Sequence, residues 1–450
     1  MIDLALRGGL IVTPEGERRA DIAIDGERIS RIGDVGPASR EIDARGKLVI
    51  PGCVDLHTHL ASTPTFTPLD DFEHGTRAAI AGGVTTVVSM VYQEDGSLRR
   101  GVERGMGDAE RSLADFAFHV VVTDPSEAAR AEIAGLVRDG HAGLKAFMVS
   151  PRFVERRDDY GLLLRAAAEA GAVVAIHAED HAIVAARTAE LHASGRTGVE
   201  HFPESRPVEA EVTAVLEAVA LAANTEATIY LVHLSSRAAI DALRDGKRRA
   251  RVFGETRPLY LYLTRAQFAR PDAALWVGQP PLRERDDVDA VWSALADGTL
   301  DTVGTDHIPH TRAAKLAAGL TFDKIPPGVS NLETLLPMLY SEGVRKGRLT
   351  LARLVEVLAT APARIAGMYP RKGVVAVGSD ADLVVFDPNA RRTIRAADLH
   401  SACDYDPYEG WDVTGWPEVV VLRGEVGYER GNVRAKPGRG RFVPRSAVKW

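Results

Sequence analysis

Short apolar runs rich in Val, Ile and Leu recur through the middle of the chain, and most of them end beside a polar residue. They are Val54–His57, Thr85–Met90, Phe116–Val122, Leu144–Met148, Val173–His177, Ile229–Leu234, Val252–Glu255 and Thr302–Thr305. Runs of this length and composition mark strands buried on both faces. Between several of them the spacing turns helical, as in GLLLRAAAEAG over Gly161–Gly171 and EVTAVLEAVALAAN over Glu211–Asn224, where Asn224 reads as the C-terminal stop. Eight strands in strand–helix alternation predict an α/β fold, a closed parallel (β/α)8 TIM-like barrel.

The two ends of the chain keep a different rhythm. Ile22, Ile24, Ile29 and Ile32 alternate about an Asp25-Gly26 turn, which predicts a hairpin. Leu383–Phe386 reads as a strand, and Val419–Leu422 turns at Arg423-Gly424 into Glu425 and Val426. The expected division is a barrel over 51–370 and a small β-sandwich domain formed by both termini, residues 1–50 and 371–450.

Composition narrows the function. With 450 residues, 45% hydrophobic and 26% charged, the chain can bury a large core. A formal net charge of −7 opposes nucleic acid or an anionic membrane as partner. Arg434 to Lys449 is locally basic and is expected to lie as a tail on the surface or on a neighbouring subunit. Two cysteines, Cys53 and Cys403, imply no disulfide framework and fit a reducing, cytoplasmic setting. Cys53 lies in an apolar run and reads as a small buried hydrophobe. No apolar run is long enough to span a bilayer, and no leader pattern opens the chain.

The candidate chemistry lies at the strand ends. His57-Thr58-His59 follows the first run. Positions i and i+2 of a strand face one side, so both imidazoles would point to the barrel axis at its C-terminal mouth, where barrel active sites form. Two neutral imidazoles there suit a divalent ion such as zinc. His177 closes the fifth run, His233 the sixth, and Asp306 follows the eighth. Any one of these has a plain structural reading; four strand ends offering metal-ligand types to one mouth do not. Lys145 sits inside the apolar run GLKAFM. Burial favours its neutral amine, and a neutral amine can take up carbon dioxide as a carbamate, a carboxylate on an arm long enough to bridge two ions.

Together, PGCVDLHTHL, GTRAAIAGGVTTVVSM, GLKAFM, VVAIHAED, IYLVHLSS, QPPLRERDD, DTVGTDH and GVVAVGSDADLVVFDP resemble the amidohydrolase superfamily, and within it the hydantoinase, dihydropyrimidinase and allantoinase group. The resemblance covers nearly the whole chain. It implies hydrolysis of a cyclic amide with two divalent metal ions. His57, His59 and Asp306 would hold the more buried ion, His177 and His233 the second, and carbamylated Lys145 would bridge them. Asp306 would also serve as the catalytic proton carrier. A homo-oligomer, tetramer or dimer, is common in the group. Ser150, Gln279, Ser330 and Asn331 stand at or beside positions where relatives hold substrate. Phe153 and Tyr160 are further candidates for walling the pocket.

Departures refine the expectation. Dihydroorotases carry Arg two residues after the second histidine, where this chain has Ala61, although Asp306-His307-Ile308-Pro309-His310 is dihydroorotase-like. D-hydantoinases and dihydropyrimidinases carry Tyr five residues after the lysine, where this chain has Ser150. That favours an allantoinase or an L-hydantoinase-like enzyme over a standard dihydropyrimidinase. Some relatives keep the fold as non-enzymatic assembly proteins without the ligands; here all six ligand positions are filled.

Overall fold

A computed structural model of the protein describes residues 2–447. Eight parallel strands run in sequence order around a barrel: Cys53–Thr58, Val84–Tyr92, Asp115–Val121, Gly143–Phe147, Val173–His177, Thr228–Leu231, Val252–Thr256 and Thr302–Val303. The first and eighth meet above their ends. The Asp306 N–H donates to the His57 carbonyl at 2.8 Å and the His59 N–H to the His307 carbonyl at 3.0 Å. The barrel therefore closes at the very residues expected to carry the chemistry.

The helices pack outside through small and branched residues. Val208–Thr225 buries Ala210, Ala214, Val215, Ala218, Val219 and Ala222 along one face, the 3.6-residue stripe of a core-facing helix. Its stop is not Asn224: the chain leaves the helix at Glu226, in a left-handed conformation with φ +58°. The helix over Arg157–Ala170 ends on Gly171 at φ +79°, a conformation that glycine adopts without a Cβ penalty.

The ends of the chain build one nine-stranded sheet apart from the barrel. Its strands come from Ile2–Thr13, Gly16–Asp25, Arg28–Gly33, Ala38–Asp43 and Leu48–Pro51 at one terminus and Leu383–Thr393, Asp412–Leu422, Glu425–Glu429 and Asn432–Val433 at the other. The first strand changes partner midway. Ile2–Arg7 pairs with Ala38–Asp43, then Leu10 and Ile11 pair with Leu48 and Val49, across an irregularity at Leu6/Gly9. The bend folds the sheet around its own core of Leu4, Ile11, Ile22, Ile24, Leu383 and Val421. Sheet and barrel are joined by a buried ammonium: Lys372 Nζ lies 2.6 Å from Asp115 of the third barrel strand, 3.0 Å from Asp380 and 2.5 Å from Asp382. That acidic trio already holds its cation.

The basic tail departs from expectation in part. Arg434, Lys436 and Arg441 are exposed, but residues 440–446 run back along the barrel floor and bury Val443 and Arg445. Phe116 N–H donates to the Arg441 carbonyl and Val443 N–H to the Phe116 carbonyl, so the segment pairs beside the third strand. Arg445 is 2% exposed; its guanidinium donates to the Ala366 and Phe118 carbonyls at 3.0 and 2.9 Å. Backbone carbonyls, which need donors when buried, drew the charge inward. Positions 448 and 449 of that expectation lie outside the described residues. Both cysteines are free and buried. Among the described residues no helix is long and apolar enough to cross a membrane.

Candidate metal centre

Four histidines and an aspartate converge at the C-terminal mouth of the barrel. His57 and His59 come from the end of the first strand, as their i, i+2 spacing requires. Their Nε2 atoms lie 3.2 and 3.0 Å from Asp306 Oδ1. Ligand atoms of the three residues all lie within 4.8 Å of one another, the compactness a single ion needs. His233 stands next to this trio, its ring centroid 5.5 Å from that of His57, and His177 meets His233 edge-to-face at 4.6 Å. Two of these residues have left-handed backbones, His233 at φ +45° and Asp306 at φ +51°. Such strain in non-glycine residues gathers at functional sites.

Lys145 rises from the fourth strand, level with Ala175 and, one strand further, Tyr230. It is fully buried, and among the described residues its Nζ has no hydrogen-bond partner; the Phe147 ring lies 5.0 Å away. Burial brings its ammonium down to about 8, against the pull of Asp306 and Glu255. With an unpartnered buried amine beside converging histidines and an aspartate, the residues present fit a metal centre.

Partners beyond the ligands orient them. His57 Nδ1 donates to Glu255 Oε1 at 2.8 Å, leaving Nε2 free for an ion. His177 Nε2 donates to Glu179 at 2.7 Å, leaving Nδ1. A second carboxylate partner of this kind fixes tautomer and ring direction in metal sites. Burial, followed by neighbouring charges, holds His57 and His233 well below the usual imidazole range, so both stay neutral and able to ligate. Burial would raise Asp306, but the Arg257 charge and the His59 hydrogen bond outweigh it and keep the carboxyl well below its ordinary range. The same contest at Glu179, decided by Arg206 and His177, leaves that carboxyl at about 2.

Above these groups lies a cavity of about 170 Å³. Tyr92, Phe147, Gln279, Ile308, Pro327 and Gly328 line it. It adjoins a second hollow of about 440 Å³ that shares His59, Tyr92 and Ile308 and adds Ala61, Pro64 and Phe66 beside the neutral polar Thr63, Thr65, Gln93 and Thr123; no Asp, Glu, Lys or Arg is among its described lining residues. Of the expected substrate contacts, Gln279 lines the first cavity. Ser150 does not: its hydroxyl caps the helix Pro151–Glu155, accepting from the Arg152 N–H at 3.2 Å. Ser330 is buried two residues beyond Gly328, and Asn331 donates to the Thr305 carbonyl at 3.1 Å. Phe153 and Tyr160 do not wall the pocket either. They pack on each other at 4.8 Å, with the Tyr160 hydroxyl on the Val122 carbonyl.

Glu255, Arg257 and Tyr92 went unmarked in the sequence. Glu255 and Arg257 repeat the i, i+2 spacing of His57 and His59 at the end of the seventh strand, and that was the available signal.

The amidohydrolase family model matches residues 48–427, so the chain belongs to the amidohydrolase family. A D-hydantoinase of Ralstonia pickettii is 38% identical over 458 residues, covering 100% of both chains. The solved dihydropyrimidinase of Brevibacillus agri superposes with a TM-score of 0.96 at 36% identity, covering 100% of both. The L-hydantoinase of Arthrobacter aurescens superposes at 0.92 with 31% identity, over 99% of this chain and 100% of that one.

Proposed function

We propose that this protein hydrolyses the ring amide of a cyclic ureide, and that its substrate class is a hydantoin bearing an uncharged, apolar substituent. The observation that carries the reading is the orphaned Lys145 amine beneath converging His57, His59 and Asp306. The hollow beside it fits the substituent and opposes dihydroorotate, whose carboxylate would find no Lys or Arg among the described lining residues. Dihydropyrimidine opening remains the second reading, because the dihydropyrimidinase named above is as similar in fold as any hydantoinase compared.

In this reading His57, His59 and Asp306 would hold one divalent ion and His177 and His233 a second, with carbamylated Lys145 as a shared ligand; zinc would suit the nitrogen-rich set. Bound there, the ions supply acidity to water and polarise the scissile carbonyl. The protein's own part is proton handling and placement. Asp306, kept anionic, takes the proton released as water oxygen bonds to the ring carbon. It returns that proton to the ring nitrogen as the C–N bond breaks, giving a carboxylic acid and a free ureido group. Gln279 and Gly328 orient the ring, while Tyr92 and Phe147 exclude solvent. A cytoplasmic homo-oligomer, tetramer or dimer, belongs to the same reading.

The test is a side-by-side assay of the metal-loaded protein on a 5-aryl or 5-alkyl hydantoin, dihydrouracil, allantoin and dihydroorotate. Fastest opening of the substituted hydantoin is expected. Ring opening of none of them would overturn the proposal, and preference for dihydroorotate would overturn the substituent assignment.

A further inference from the structure

Resting on that reading, we infer that Arg257 is a positioning residue for the reaction: it sorts the two oxygens of Asp306, holding one so that the other is presented to the His57–His59 pair. Arg257 Nη1 donates to Asp306 Oδ2 at 2.8 Å. Oδ1 of the same carboxylate faces His57 and His59. Asp306 needs such a hold. It follows an eighth strand of only two residues, Thr302–Val303, and its backbone is left-handed at φ +51°.

The guanidinium is poorly placed for any other purpose. Arg257 is 0% exposed, and among the described residues its Nε and Nη2 have no partner. Burying a charge is costly unless it is fully paired, so a guanidinium that keeps one carboxylate and leaves two nitrogens unsatisfied does not serve stability. Its seat is made for it. Tyr260 packs its ring 5.7 Å from the guanidinium carbon, and Gly278 leaves room that a Cβ, only 3.1 Å from Nη1, would take. Glu255 and Arg257 thus project from one strand end, the first setting His57 and the second setting Asp306, two members of the same trio.

The experiment loads wild type, Arg257→Met and Arg257→Lys with zinc and follows zinc release to excess chelator, alongside hydantoin hydrolysis. Positioning predicts that Arg257→Met releases zinc about tenfold faster and loses roughly 10- to 100-fold in kcat, with KM little changed. Arg257→Lys should fall between, and low-millimolar guanidinium should restore part of the methionine variant's rate. Gly278→Ala, which crowds the guanidinium without removing it, should move zinc release in the same direction by less, and covers the case of a methionine variant that does not fold. If Arg257→Met or Gly278→Ala holds zinc as long as wild type or longer, the arginine acts only as a repelling charge or not at all, and the inference fails. Zinc release needs no substrate, so a wrong substrate assignment leaves this result standing; failure of wild type to take up zinc would instead sink the metal reading.

Discussion

Glu255 Oε1 receives two hydrogen bonds at once, from His57 Nδ1 at 2.8 Å and from the His233 backbone N–H at 3.1 Å. One carboxylate oxygen therefore ties candidate ligand residues from the ends of the first and sixth strands. Its other oxygen accepts from the Tyr230 hydroxyl at 2.5 Å, and burial pushes the carboxyl up to about 7. Glu255→Gln keeps the size but weakens the charge-assisted bond that fixes His57. Metal affinity should fall by roughly 10- to 100-fold, the usual effect of losing such a partner. Chelator competition on the purified variant measures it, and wild-type affinity would show that His57 is held by packing alone.

Lys145→Ala removes this buried amine. The variant should stay folded, since Lys145 Nζ makes no hydrogen bond to lose among the described residues. It should bind less than two metals per chain and lose nearly all activity. Elemental analysis and a ring-opening assay check both, and short carboxylic acids should restore part of the rate by standing in for the carbamate. Full metal content with undiminished rate would remove Lys145 from the centre.

Much of this arrangement was legible because strands have period two. His57 and His59 share a face for that reason, and Val173–His177 begins and ends where the apolar run does. Other strands are shorter than their runs: Thr228–Leu231 stops before Val232 and His233, and Thr302–Val303 stops before Gly304. There the backbone turns left-handed to aim His233 and Asp306, a choice made by contacts rather than propensity. Glu255 was hidden because its partner lies 198 residues away and a charge at a strand end looks solvated. Arg445 was hidden by composition. A basic tail reads as surface, yet its guanidinium finds carbonyls of two distant segments, at Ala366 and Phe118.

The uncharged hollow makes a claim about substrate. Phe66 lines it and is 36% exposed, so trimming it disturbs little of the core. Phe66→Ala should raise KM for a hydantoin with a bulky apolar substituent by about tenfold, the scale of one lost apolar contact. Dihydrouracil, lacking the substituent, should be nearly unaffected. Equal effects on both substrates would move the substituent elsewhere.

Asp406 lies apart from the metal site and offers a test of pH dependence. It is 4% exposed, and burial pushes its carboxyl up to about 8 even though the Tyr408 N–H donates to it at 2.9 Å. In the unfolded chain it titrates near 3.8. Below that pH both states carry the proton and the group has no net effect on stability. Between about 4 and 8 the unfolded chain releases the proton while the native state keeps it, so rising pH favours unfolding; above 8 the loss levels off. Asp406→Asn removes the titration. The variant's melting temperature should match wild type near pH 4 and exceed it increasingly up to pH 9, by an amount equivalent to a few kcal/mol. The gap should saturate rather than continue to grow. A difference that is constant across this range, or one of opposite sign, would mean that Asp406 is ionised in the native protein and finds its compensation in a partner other than the Tyr408 N–H.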